Sequence, residues 1–203
     1  MIAIINYKAG NLASVSNALN RLGADFIITN KKDELNNSDA VIFPGVGHAY
    51  SAMESLRENE LVSWLQGTEK PVLGICLGMQ LLFESTEEGD TQGLGIIPGR
   101  LKKFDSSKDK VPHMGWNTFT EVKSHPLLKG ISTDQFFYFV HSYFAPVNEF
   151  TLAACSYISN FAAVVGHDNY MGVQFHPEKS GDVGSLLLQN FLTHVKREKK
   201  INV

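Results

Sequence analysis

The pentapeptide GICLG, Gly74 to Gly78 with Cys76 at its centre, constrains this chain more than any other stretch. An apolar run, residues 71–75, precedes Cys76 and reads as a buried strand. Met79-Gln80-Leu81-Leu82-Phe83-Glu84 follows and reads as a helix. Strand, G-x-nucleophile-x-G, helix is the pattern of a nucleophile elbow, with Cys in the position often held by Ser. The flanking glycines are expected to let the backbone turn sharply. The helix start behind Cys76 would aim amide N–H groups at the sulfur and stabilise negative charge there. The plainer alternative is a buried core Cys at a strand end.

The rest of the sequence suits such a site. A chain of 203 residues with 43% hydrophobic content can bury a large core and reads as one domain, residues 1–203. A net charge of -3 gives no electrostatic case for nucleic acid or an anionic membrane. Two Cys without a spacing motif argue against a disulfide framework and a zinc site, and no cofactor or metal signature is present. No run approaches the roughly 20 apolar residues of a membrane span. The apolar N-terminus has no basic segment before it, so a cytoplasmic location is expected.

Strand and helix alternate through the first half. Strands are predicted over 2–6, 25–29 and 40–43, the last stopped by PGVG (residues 44–47). Helices are predicted over 12–22, briefly over 33–35, and over 50–66 as one long amphipathic element. This rhythm predicts a largely parallel sheet with helices on both faces, an α/β fold. The second half reads as short strands over 93–98, 101–104, 118–122, 135–140, 152–159, 162–167 and 170–175, several of them antiparallel. A final helix over 182–198 closes the chain, with a basic end that complements its dipole.

A Cys nucleophile needs a base and a group that orients the base. Of seven His, His176 in QFHPEKS stands out, because Pro177 must end its strand and strand ends are where α/β sites assemble. Glu178, two residues on, projects to the same side in extended backbone and could fix the imidazole tautomer. Alone, this could be a surface turn; with a Cys elbow it reads as Cys76, His176, Glu178. The amide of Leu77 is an expected oxyanion donor, and PGVG could present a second. Read alone, PGVG is an ordinary glycine turn.

GICLGMQLLFE together with QFHPEKS resembles the class I (triad) glutamine amidotransferases. YKAGNLASVSNAL, FPGVGHAYSAM, PHMGWN and YFVHSYF extend the likeness along nearly the whole chain, to the branch of glutaminase subunits of imidazole glycerol phosphate synthases. The resemblance implies a flavodoxin-like α/β fold with a mixed, mostly parallel central sheet, and glutamine hydrolysis through a Cys76 thioester, with His176 as proton shuttle and Glu178 as its orienter, and Val46 donating an oxyanion N–H after a peptide flip. It further implies substrate contacts at Gln80, Glu88, Ser142 and Tyr143, and a partner interface at Asn11, Trp116, Tyr138 and Lys179. A counter-charge for the α-ammonium of glutamine fits Glu88, though Glu88 alone reads as a solvated acid. Trp116 and Tyr138 could equally be core aromatics, and Lys179 a surface charge. Only one helix follows the HPE segment, so the ammonia acceptor is expected on a separate cyclase subunit, in a heterodimer serving histidine biosynthesis. Three rivals stay open: a paralogue feeding a sugar-modifying partner, a stand-alone cysteine hydrolase, and a non-catalytic binding module.

Overall fold

A computed structural model describes residues 1–7 and 11–201, with side chains to 198. Lys8, Ala9 and Gly10 of the N-terminal motif, and the side chains of Lys199 and Lys200, lie outside the described residues. The first half contains β1 (Ile2–Ile5), α1 (Leu12–Arg21), β2 (Phe26–Thr29), α2 (Lys32–Asn36), β3 (Ala40–Gly45), α3 (Ala49–Glu58), α4 (Leu61–Gly67), β4 (Val72–Cys76) and α5 (Leu77–Leu81). The second contains β5 (Phe83–Thr86), β6 (Thr91–Gln92), β7 (Ile97–Lys103), β8 (His113–Val122), β9 (Phe136–His141), β10 (Tyr143–Phe144), β11 (Thr151–Ser156), β12 (Asn160–His167), β13 (Tyr170–Val173) and α6 (Gly181–Ile201).

A nine-stranded sheet runs β2-β1-β3-β4-β13-β12-β11-β8-β9. Its first five strands are mutually parallel, and the remaining junctions are antiparallel. A second, four-stranded sheet runs β10-β7-β5-β6. Alternation along each strand sends side chains to two cores, one on each face of the large sheet. Ile2, Ile4, Leu73 and Phe137 join Leu19 of α1 and Leu187 and Phe191 of α6. Ala3, Ile5, Val41 and Phe43 join Met53 and Leu56 of α3 and Leu61 and Leu65 of α4.

Four expectations are corrected. The helix over 50–66 is two helices, because Glu60 adopts a left-handed conformation (φ 53°) between them. The helix after Cys76 ends at Leu81, and Phe83 and Glu84 enter β5 instead. An apolar run that short carries no decisive period, and pairing of Phe83 with Ile97 decides it. β3 continues through Pro44 and Gly45, since Gly45 pairs with Cys76 at the edge of the site. Residues 93–96 form no strand, and 97–103 form one. Among the described residues, no helix is long and apolar enough to cross a membrane.

Candidate active site

Cys76 ends β4 and opens α5 with φ 52° and ψ -107°, a conformation that non-glycine residues adopt at a cost of about 1–3 kcal/mol. The strain sits on Cys76 itself, not on its flanking glycines. Those glycines have another purpose, close approach. A Cβ on Gly78 would lie 1.8 Å from the Phe43 carbonyl oxygen, and one on Gly74 would lie 2.7 Å from the Met79 nitrogen. The elbow is therefore pressed directly onto β3.

β3, β4 and β13 are adjacent and parallel, so their carboxyl ends deliver PGVG, Cys76 and the 174–178 segment to one edge. There a cavity of about 290 Å³ is lined by Val46, Cys76, Leu77, Gln80, Glu88, Ser142, Tyr143 and His176, with His141, Val140 and Pro112. Of three larger surface hollows, those of about 770 and 940 Å³ lack Cys76 and the residues around it, and one of about 580 Å³ shares Val46 and Gly47 with the cavity but not Cys76.

His176 and Glu178 are buried, their side chains 2% and 1% exposed, and Nδ1 lies 2.8 Å from Oε1. The reach differs from that expected. Pro177–Lys179 is a 3₁₀ turn, and this curl, not extended backbone, brings the carboxylate onto the ring. Burial works against the imidazolium, but the Cys76 sulfur and the Glu178 carboxylate more than offset it and raise the pKa to about 10. Nε2 has no partner within strict hydrogen-bond limits, but the Cys76 sulfur is near enough to raise the ring's pKa as a loose acceptor as well as by its charge. The Cys76 sulfur lies 3.8 Å from the Val140 carbonyl oxygen.

The rim carries the remaining cavity residues. Glu88 is only partly exposed, and its Oε2 accepts the Ala49 N–H at the start of α3 (2.7 Å). Gln80 is 7% exposed, and its Nε2 donates to the Tyr143 carbonyl and to Gln174 Oε1. The Ser142 carbonyl accepts the Phe104 N–H. Tyr7 donates to the Pro44 carbonyl (2.7 Å) and anchors the start of PGVG. Val46 is 41% exposed, and Gly47 holds φ 108°.

The four residues expected at an interface fall outside the cavity. Trp116 is 56% exposed, so it is no core aromatic. It meets Tyr138 edge-on at 5.8 Å, and Lys179 Nζ sits 5.9 Å above the Tyr138 ring. Asn11 caps α1 by accepting the Ser14 N–H. Cys155 fills core, where burial pushes its thiol up to about 12. Gln174, His113 and His141 were not singled out from sequence. They stand inside the motifs QFHPEKS, PHMGWN and YFVHSYF, but only tertiary packing shows their polar contacts.

The model of the class-I glutamine amidotransferases matches residues 3–195, and the chain belongs to that family. Among curated relatives it is similar to imidazole glycerol phosphate synthase subunit HisH of Bacteroides fragilis (49% identical, covering 94% of this chain and 98% of that one). It is also similar to the HisH of Archaeoglobus fulgidus (47%, covering 97% and 100%). Of solved structures, one described as a GMP synthase subunit from Thermoplasma acidophilum superimposes with a TM-score of 0.78 at 20% identity, covering 99% of this chain and 96% of that one. PurLQS from Thermotoga maritima gives 0.69 at 19% identity, covering 96% and 98%. At those identities the solved structures speak for the fold alone.

Proposed function

We propose that this chain hydrolyses L-glutamine through a Cys76 thioester and passes the ammonia to a separate (β/α)8-barrel cyclase. That partner would form imidazole glycerol phosphate and AICAR for histidine biosynthesis. The observation that carries the reading is one small cavity shared by Cys76, His176 and the rim residues, with Glu178 buried behind the imidazole.

The Cys76 sulfur attacks the side-chain carbonyl carbon of glutamine. The oxyanion that forms faces the Leu77 amide and, after a turn of the peptide at Val46, the Val46 amide. His176, held protonated, gives its Nε2 proton to the departing nitrogen, and ammonia leaves. The neutral imidazole then takes a proton from water, which attacks the thioester. Glutamate departs, the sulfur regains its negative charge and His176 its proton. Glu88 offers the counter-charge for the α-ammonium, beside the Ser142–Tyr143 backbone.

β8 and β9 support a docking face. Met114 and Trp116 on β8 and Phe136 on β9 are 63%, 56% and 57% exposed and alternate with buried residues such as Phe119, Phe137 and Phe139. Val140 continues the outward row of β9 into the cavity wall, so the apolar face adjoins the nucleophile. Exposed aromatics beside a catalytic cavity suit a partner that must receive a diffusible product. Trp116→Ala is expected to weaken the complex about 30-fold in Kd, the effect of losing roughly 2 kcal/mol at an aromatic anchor, as read by titration calorimetry.

The test of the whole reading is glutamate release by the chain alone, with the cyclase subunit, and with that subunit plus its nucleotide ligand, with Cys76→Ala as the blank. Strong stimulation by the liganded partner, lost in Cys76→Ala, is the expected result. Release without stimulation would move the partner to another pathway. No release under any condition would overturn the glutaminase reading.

A further inference from the structure

Gln174 is completely buried, two residues before His176, and its side chain touches the nucleophile: Nε2 lies 3.7 Å from the Cys76 sulfur. An amide side chain can face a neighbour with either its NH2 or its oxygen, and here the surroundings fix the choice. The Tyr143 carbonyl is a backbone acceptor and nothing else. The Gln80 side-chain atom 2.9 Å from it must therefore be the NH2 group. The second hydrogen of that group points 3.0 Å to Gln174, which must answer with its oxygen. The NH2 of Gln174 is then the end left facing Cys76.

The same carbonyl is fixed from its other side. His141 Nδ1 lies 2.8 Å from it and must carry hydrogen, which makes Nε2 an acceptor. His113 Nδ1 donates to that Nε2 (3.1 Å), and His113 Nε2 accepts from Asn117 Nδ2 (3.3 Å). Asn117 is itself oriented by backbone, donating to the Ser156 carbonyl and accepting the Thr118 N–H. The order requires both histidines neutral. Burial lowers His113 to about 4, and burial, with the nearby charge of His176 among the smaller causes, lowers His141 to about 3. Two donor arms thus meet on the Tyr143 carbonyl, one from Asn117 through His113 and His141 and one from Gln80, whose other hydrogen fixes Gln174 toward the sulfur.

The two polar contacts of the sulfur differ in kind. The Val140 carbonyl can accept a hydrogen from the thiol and repels the thiolate. The Gln174 amide can donate to the thiolate, and a hydrogen bond to an ion is about twice as strong as one between neutral groups. We propose that Gln174 is the amide donor that selects and holds the Cys76 thiolate, aligned by Gln80, which the Tyr143 carbonyl orients and on which a second donor arm from Asn117 through His113 and His141 also ends. The proposal rests on Cys76 being the nucleophile, and its test uses no glutamine, so it can fail or stand independently of the glutaminase reading.

The test is alkylation of Cys76 by iodoacetamide at pH 7, followed by mass spectrometry of the Cys76 peptide, in wild type, Gln174→Met and Gln174→Glu. Met keeps the volume and removes the donor; Glu keeps the shape and places a negative charge beside the sulfur. Loss of a charge-assisted donor, partly offset by the higher reactivity of a more basic thiolate, is expected to slow Gln174→Met about 3- to 10-fold. Gln174→Glu should be slower still, with thermal midpoints showing both variants folded. A packing role alone would not produce that order. Equal rates in folded variants would overturn the proposal. If the variants do not fold, wild type decides by NMR. The Gln174 side-chain NH2 resonances must move when Cys76 is alkylated, while those of Gln66, which donates to the Leu94 carbonyl, stay put. Unmoved Gln174 resonances would likewise overturn it.

Discussion

Glu178→Gln is expected to lower kcat for glutamine about 10³- to 10⁴-fold while the protein stays folded. The amide can still accept the His176 Nδ1–H, so the ring keeps its place and loses a full negative charge at 2.8 Å. The imidazolium of His176 should become easier to deprotonate, and an NMR titration of the ring would show its pKa below the wild-type value of about 10. A stability consequence has a definite sign. A histidine raised in the folded state from 6.5 to about 10 contributes its full stability below the unfolded value and loses it as pH rises through the folded one. The difference in stability between wild type and Glu178→Gln should therefore be full at pH 6, shrink steadily as pH rises above about 6.5, and be largely gone by about pH 10. A gap that grows with pH would refute this account of the ion pair.

Gly78→Ala is expected to cost at least about 3 kcal/mol, at or beyond the upper end for overpacking. The added carbon would fall 1.8 Å from the Phe43 carbonyl, which is sheet backbone and cannot rotate away like a side chain. Either α5 lifts from β3, or β3 leaves its register with β4. Both outcomes displace Cys76 and Leu77, so surviving protein should also be inactive. Gly67→Ala is the control: a Cβ there meets nothing within 4 Å, at the end of α4. It should change stability by under about 1 kcal/mol. Urea midpoints of the two variants decide.

Much of this site was legible because its parts are local. GICLG names the elbow, and HPE places His176 and Glu178 on one short turn. Sheet alternation in the first half needed only the apolar period. What stayed hidden depends on contacts far along the chain. Glu60 takes its left-handed break without a glycine or proline to announce it. Phe83 and Glu84 continue a helical run until pairing with β7 claims them. Gln174 looked like one polar residue in a strand. Its meaning comes from Cys76, 98 residues away, and from Gln80, 94 away. The glycines were correctly marked but for a different reason, since packing clearance and not turning demands them.

The mouth of the cavity is unequal in stiffness. On the Leu77 side, an added Cβ on Gly45 would strike the Tyr7 hydroxyl, the Gly78 nitrogen and the Leu77 Cβ at 2.7 to 2.8 Å, so that wall has no slack. Two residues further, Gly47 has open space where a side chain would stand, and its neighbour Val46 is exposed. Thermal or ligand-driven motion will concentrate in the compliant pair, as bending concentrates where a beam is thinnest. An engineer wishing to change the mouth of this cavity without disturbing Cys76 would stiffen residues 46 and 47 and leave the clamped side untouched.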